Sequence, residues 1–133
     1  MTDDAAIDGL LARARTGLDR VEAAGLEAAM AAGAVVVDIR PVEQRDRDGA
    51  LPGALVVDRN VLEWRLDPSS AYRLPGMDDP EARVIVVCNE GYGSSLAAAT
   101  LQELGLRRAT DLVGGYQAWL VHRARARTDV EPA

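Results

Sequence analysis

Phenylalanine is absent from this chain of 133 residues, and cysteine and histidine occur once each, as Cys88 and His122. One cysteine excludes an internal disulfide framework, and with one histidine it argues against a zinc site built within one chain. No apolar run approaches the roughly 20 residues of a membrane-spanning helix. Met1 is followed by Thr2-Asp3-Asp4 rather than by a basic and apolar leader. Basic residues are outnumbered, and the net charge of −6 argues against nucleic acid as a general partner. The expectation is a cytoplasmic protein with neither metal nor organic cofactor. Its 48% hydrophobic content and its length fit one globular domain.

What is present alternates between helix and strand patterns. Asp3 or Asp4 can cap a helix running through Ala5, Ile7, Leu10 and Leu11 toward Gly17, and a second helix is expected from about Ala23 to Ala32, closed by Gly33. Val35-Val36-Val37 reads as a buried strand leading into Asp38-Ile39-Arg40-Pro41. A charged crossover from Glu43 to Asp48 follows, then a turn at Leu51-Pro52-Gly53 and a short strand from Ala54 to Val57. Asn60 and Glu63 are spaced as a capping pair before Trp64 and Leu66. Residues 67–80 hold three prolines and a glycine, which predicts an irregular excursion. Farther on, Ala109 to Val113 reads as a strand, Gly114-Gly115 as a turn, and Tyr116 to about Arg125 as a last helix. Near-continuous apolar strands alternating with helices predict an α/β fold, a central parallel sheet flanked by helices on both faces. Ligands in such folds bind beyond the carboxyl ends of the strands. Residues 1–19 then form an N-terminal helical extension, 20–122 the domain proper, and 123–133 a frayed tail.

Cys88 lies at such a strand end. It follows Val84-Ile85-Val86-Val87 and opens the segment Cys88-Asn89-Glu90-Gly91-Tyr92-Gly93-Ser94-Ser95, after which Leu96-Ala97-Ala98-Ala99 reads as helix. An apolar strand is an ordinary place to bury an inert cysteine. The loop changes that reading. Closely spaced glycines let backbone N–H groups converge on one point, and a helix start favours an anion, so the setting stabilises a thiolate or an anion attached to it.

With these residues in view, the chain resembles the single-domain rhodanese-like sulfurtransferases. Four segments carry the likeness: Val37-Asp38-Ile39-Arg40 with Glu43, Leu51-Pro52-Gly53-Ala54, Cys88 through Ser94, and Leu112-Val113-Gly114-Gly115-Tyr116-Gln117-Ala118-Trp119. Together they cover about residues 20 to 120. The resemblance implies that Cys88 takes a sulfane sulfur from a donor such as thiosulfate, a persulfide or a polysulfide, and passes it to a thiophilic acceptor. It also implies a substrate cradle made by Asn89, Glu90, Gly91, Tyr92, Gly93 and Ser94, with the Ser94 hydroxyl as an extra donor. Asp38 and Arg40 become supporting residues joined by a charge-assisted hydrogen bond. The implied partners are small sulfur donors and acceptors, a protein thiol among them, with no membrane and a monomer as the default state.

The sequence departs from that family at Gly93, where active members often carry arginine, and at Ala50, often histidine. The only formal charge inside the loop is Glu90, which opposes an anionic donor such as thiosulfate. Arg45 and Arg47 are within reach of the pocket but read more simply as solvated. A phosphatase of this fold needs an arginine six residues after the cysteine to grip phosphate, and Ser94 stands there. Gly91-x-Gly93 with Asp111 is an incomplete dinucleotide fingerprint because Leu96 replaces the third glycine. Ser94 and Ser95 lack the Gly-x-Ser-x-Gly frame of a hydrolase elbow. His122 reads as a surface residue of the last helix. The rival from another class is a binding, regulatory or sulfur-carrier module that keeps the fold without turnover.

Overall fold

The computed structural model describes residues 5–130. Its β-branched runs form a four-stranded sheet in which every neighbouring pair is parallel: β1 (Val35–Asp38), β2 (Leu55–Val56), β3 (Val84–Val87) and β4 (Thr110–Asp111), in the order β2-β1-β3-β4. Parallel neighbours need crossovers, and helices supply them. The helices are α1 (Ala6–Thr16), α2 (Leu26–Ala31), α3 (Val42–Asp48), α4 (Leu62–Leu66), α5 (Gly93–Glu103) and α6 (Gly115–Val130), of which α3, α4 and α5 lie in the crossovers.

Side-chain alternation along the strands divides the core in two. Val37, Val84 and Val86 face Leu62 and Leu66 of α4 and Ala97, Ala98 and Leu101 of α5. Val36, Ile85 and Val87 face the other way, onto Leu26 and Ala29 of α2 and Tyr116 and Trp119 of α6. Both faces are covered, which is why the strands are apolar throughout. The helix α1 has no fully buried residue and lies against α5 as an outer layer.

The chain leaves β1 outward to β2, then returns to place β3 on the other side of β1. That reversal opens a crevice beyond the carboxyl ends of β1 and β3. Asp38 ends β1 opposite Val87 of β3, so the segments after Asp38 and Val87 emerge side by side.

Several local expectations are corrected. The charged crossover at 43–48 is the helix α3, whose polar sequence hides its period. Asn60 and Glu63 do not form a capping pair. Asp58 accepts from the Asn60 amide at 2.7 Å, and Glu63 pairs instead with Arg59 at 2.9 Å. The last helix does not stop near Arg125 but continues to Val130. The strands expected over 54–57 and 109–113 are each two residues long. The proposed caps Asp3 and Asp4 lie outside the described residues. Within them, Asp8 accepts from the Ala5 amide at 3.2 Å.

Candidate functional site

Cys88 leaves β3 half-buried, and the next residues wrap its sulfur. The amides of Gly91 and Ser94 donate to Sγ at 3.1 and 3.4 Å. Ser94 lies in the first turn of α5, where helical N–H groups lack carbonyl partners and are free to meet an anion. Gly91 adopts φ +87°, and a Cβ there would stand 2.7 Å from the Gly114 nitrogen, so no other residue fits without displacing the neighbouring turn.

The loop carbonyls are held on its outside. Cys88 O accepts from the Tyr116 amide at 2.9 Å and Asn89 O from the Gln117 amide at 3.1 Å, which satisfies the start of α6. Gln117 Nε2 also donates to Asn89 Oδ1 at 3.0 Å and to Asp48 Oδ2 at 3.1 Å, tying the loop to the end of α3. The Arg47 side chain, hydrogen-bonded to Asp48, holds that carboxyl below its ordinary range. On the opposite flank Gly91 O accepts from Arg15 Nη2 at 2.7 Å and Arg20 Nη2 at 3.0 Å.

Beneath the loop lies a buried acid at a strand end, whose contacts with the loop are not revealed by spacing. Asp111 ends β4 with no solvent exposure, and its Oδ2 accepts from Ser94 Oγ at 2.8 Å and Ser95 Oγ at 2.7 Å. Arg20 pairs with it through Nε at 2.8 Å. The Ser94 hydroxyl is therefore turned down toward Asp111. This corrects its expected role as an extra donor in the cradle: Ser94 contributes its backbone amide alone.

Asp38 and Arg40 form a second buried pair, Nη2 to Oδ2 at 2.8 Å, with side chains 1% and 0% exposed. Arg40 also donates to Gly49 O at 2.9 Å, and its guanidinium lies 3.6 Å from the centre of the Tyr116 ring. The pair thus joins the β1 end, the loop after α3 and the start of α6. Arg45 donates to Arg40 O at 3.3 Å and Arg47 pairs with Asp48 at 2.9 Å. Asn89 is half-buried, whereas Glu90, Tyr92 and Gly93 are exposed at the loop rim. Trp64 and Tyr72 are exposed around a groove of about 440 Å³ with Leu104 and belong to a different surface. The contacts that join Asp111, Ser95, Arg15 and Arg20 have no signal in local spacing. Only the parallel β3–β4 register and the return of α1 across α5 bring them together.

Among the described residues no cluster of three or more His, Cys, Asp or Glu side chains is arranged to hold a metal. Nor is any helix there long and apolar enough to cross a membrane.

Comparison with known proteins places this geometry in context. The family model for the rhodanese-like domain matches residues 22–122. The adenylyltransferase and sulfurtransferase UBA4 of Lodderomyces elongisporus is 33% identical over 85 residues, 63% of this chain, and its Candida albicans counterpart is 32% identical over 64% of the chain. The matches span 18% and 19% of those longer proteins. Among solved structures, a protein of unknown function from Rhodopseudomonas palustris, described as a possible tyrosine phosphatase, is 31% identical with TM-score 0.79, covering 92% of this chain and 95% of its own. The human single domain sulfurtransferase TSTD1 is 25% identical with TM-score 0.63, covering 77% of this chain and 95% of its own.

Replacing Arg40 with methionine would strand the Asp38 carboxylate in an apolar setting. Arg40→Met is expected to lose about 3–5 kcal/mol of unfolding free energy, and the double variant Asp38→Leu/Arg40→Met to recover much of it. Urea denaturation of both variants measures this, and a loss below about 1 kcal/mol in the single variant would contradict the pairing.

Proposed function

The chain belongs to the rhodanese-like domain family, and on that premise we propose that it is a sulfurtransferase working through a persulfide on Cys88. The observation that carries the reading is the convergence of the Gly91 and Ser94 amides on Sγ at the start of α5. Such donors stabilise a sulfur anion without reorganising when charge arrives.

In the first half-reaction the Cys88 thiolate attacks the sulfane sulfur of a donor. With thiosulfate the S–S bond of the donor breaks, sulfite leaves with the bonding pair, and Cys88 carries the new S–S bond and the terminal negative charge. A persulfide or polysulfide donor releases its thiolate or shortened chain in the same way. In the second half-reaction a thiophilic acceptor attacks the outer sulfur, the Cys–S bond to it breaks, and the electron pair returns to Cys88 as thiolate. Cyanide yields thiocyanate; a protein or small-molecule thiol yields its own persulfide. The enzyme returns to its starting state without a redox cofactor or a metal.

Asn89 through Ser94 line this transfer, chiefly through the backbone, while Asp38 and Arg40 support the loop from β1. The reducing cytoplasm suits a single free thiol that must stay available, and small donors and acceptors suit the open rim. The chain acts as a monomer by default, with neither nucleic acid nor membrane as a partner. A phosphatase reading lacks a clamp: Ser94 occupies the arginine position and its hydroxyl is engaged by Asp111. The physically distinct alternative is a binding, regulatory or sulfur-carrier module that keeps the fold without turnover.

Intact-protein mass spectrometry after thiosulfate or polysulfide, followed by cyanide, tests the reading. The expected result is a gain of one sulfur that cyanide removes and that Cys88→Ala never acquires. Repeated turnover separates the enzyme from the carrier, and no adduct from either donor on folded, reduced protein would overturn both and leave the binding or regulatory module. Because exposed Glu90 opposes anionic donors, Glu90→Lys is expected to raise kcat/KM for thiosulfate by roughly two- to fivefold. Unchanged thiosulfate kinetics would contradict that role.

A further inference from the structure

The loop contains no cation, yet two guanidinium groups reach it from residues that precede the family match. Arg15 closes α1 and Arg20 follows it; both donate to Gly91 O. Arg20 is neutralised by the buried Asp111. Arg15 is not: its Nε donates to Ser95 Oγ at 3.0 Å, its guanidinium lies 5.6 Å from the centre of the exposed Tyr92 ring, and no carboxylate pairs with it among the described residues.

Of the other charges around the crevice, Arg45 likewise has no carboxylate partner among the described residues. Asp38 is paired with Arg40, and Asp48 with Arg47. Arg45 of α3 is engaged at Arg40 O, on the β1 side. Along the loop itself, two charges are left without an ionic partner among the described residues: Glu90, exposed at the rim, and Arg15, half-buried against the loop's flank.

We propose that Arg15 is a positioning and specificity-determining residue of the Cys88 loop, supplying from α1 the cation that the loop sequence lacks. It acts in two ways. The Gly91–Tyr92 peptide is trans, so fixing Gly91 O toward Arg15 turns the Tyr92 N–H away from both guanidiniums. That amide stands in sequence between the two that already contact Sγ, and it becomes available to a sulfur attached there. The unpaired charge of Arg15 also raises the local potential and favours an anionic partner, against the pull of Glu90. Donor choice is then set by a balance between one acid in the loop and one base on the outer helix.

This inference refines the sulfur-transfer reading and rests on it for its meaning, but its test does not require turnover. Cys88 is alkylated with iodoacetate, an anion, and with iodoacetamide, its neutral counterpart. The ratio of the two rates cancels the thiolate fraction and reports the potential at the loop. Arg15→Gln is expected to lower that ratio by about two- to fivefold, and Arg15→Lys, which keeps the charge, to restore most of it. Rising salt should lower the ratio more, or raise it less, in the unaltered chain than in Arg15→Gln, because both share the Glu90 and thiolate charges and differ only in the cation. A merely structural Arg15 would slow both reagents together and leave the ratio unchanged, which overturns the proposal; so does a ratio lost equally in Arg15→Lys. Should Arg15→Gln fail to fold, Arg15→Met, which keeps the aliphatic stem without the charge, takes its place in the same comparison. If sulfur loading fails while the ratio responds, the transfer reading falls and the charge assignment to Arg15 stands.

Discussion

A backbone can offer its amides to a ligand only if its carbonyls are satisfied elsewhere, and the Cys88 loop depends on that constraint. The carbonyls of Cys88 and Asn89 are taken by the first amides of α6, and that of Gly91 by Arg15 and Arg20. With these outward groups occupied, the Gly91 and Ser94 amides are left to face the sulfur. The loop is therefore held by two segments far apart in sequence, residues 15–20 and the start of α6. The double glycine turn before α6 follows from the same need: Gly115 has φ +62°, and a Cβ there would lie 2.5 Å from Cys88 O.

Two buried ion pairs brace this arrangement from below and from the side. Asp111 gathers Arg20, Ser94 and Ser95 under the start of α5, while Arg40 clamps Asp38, Gly49 and the Tyr116 ring. Buried charges of this kind contribute little net stability compared with well-packed apolar side chains, but removing one partner is costly. Their effect is to fix geometry. The crevice at the β1–β3 reversal receives a loop hydrogen-bonded on both flanks, as anion recognition by preorganised dipoles demands.

Much of this was legible in the residues. Val84 to Ser95 reads as strand, glycine loop and helix because each step is local: β-branched residues, then glycines, then helix formers. The parallel sheet followed from strands apolar on both faces. What escaped depended on distance or on masking by charge. Val42–Asp48 is helical but nearly all polar, so no apolar stripe betrays it. Asp58 rather than Asn60 caps its turn, a choice among equivalent short polar residues. The Ser94 hydroxyl was read toward the sulfur because the register that sets Asp111 beneath it cannot be seen from spacing. Arg15 and Arg20 sit in an arginine-rich chain, and nothing local distinguishes them from solvated surface residues.

On the proposed sulfur transfer, inward amides held by outward carbonyls form the seat of the transferred sulfur. A crystal structure of the protein loaded with sulfur on Cys88 tests it most directly. The outer sulfur is expected inside the loop, within about 3.5 Å of amides between Gly91 and Ser94, with Gly91 O still bound by Arg15. An outer sulfur directed to solvent, touching none of those amides, would contradict it.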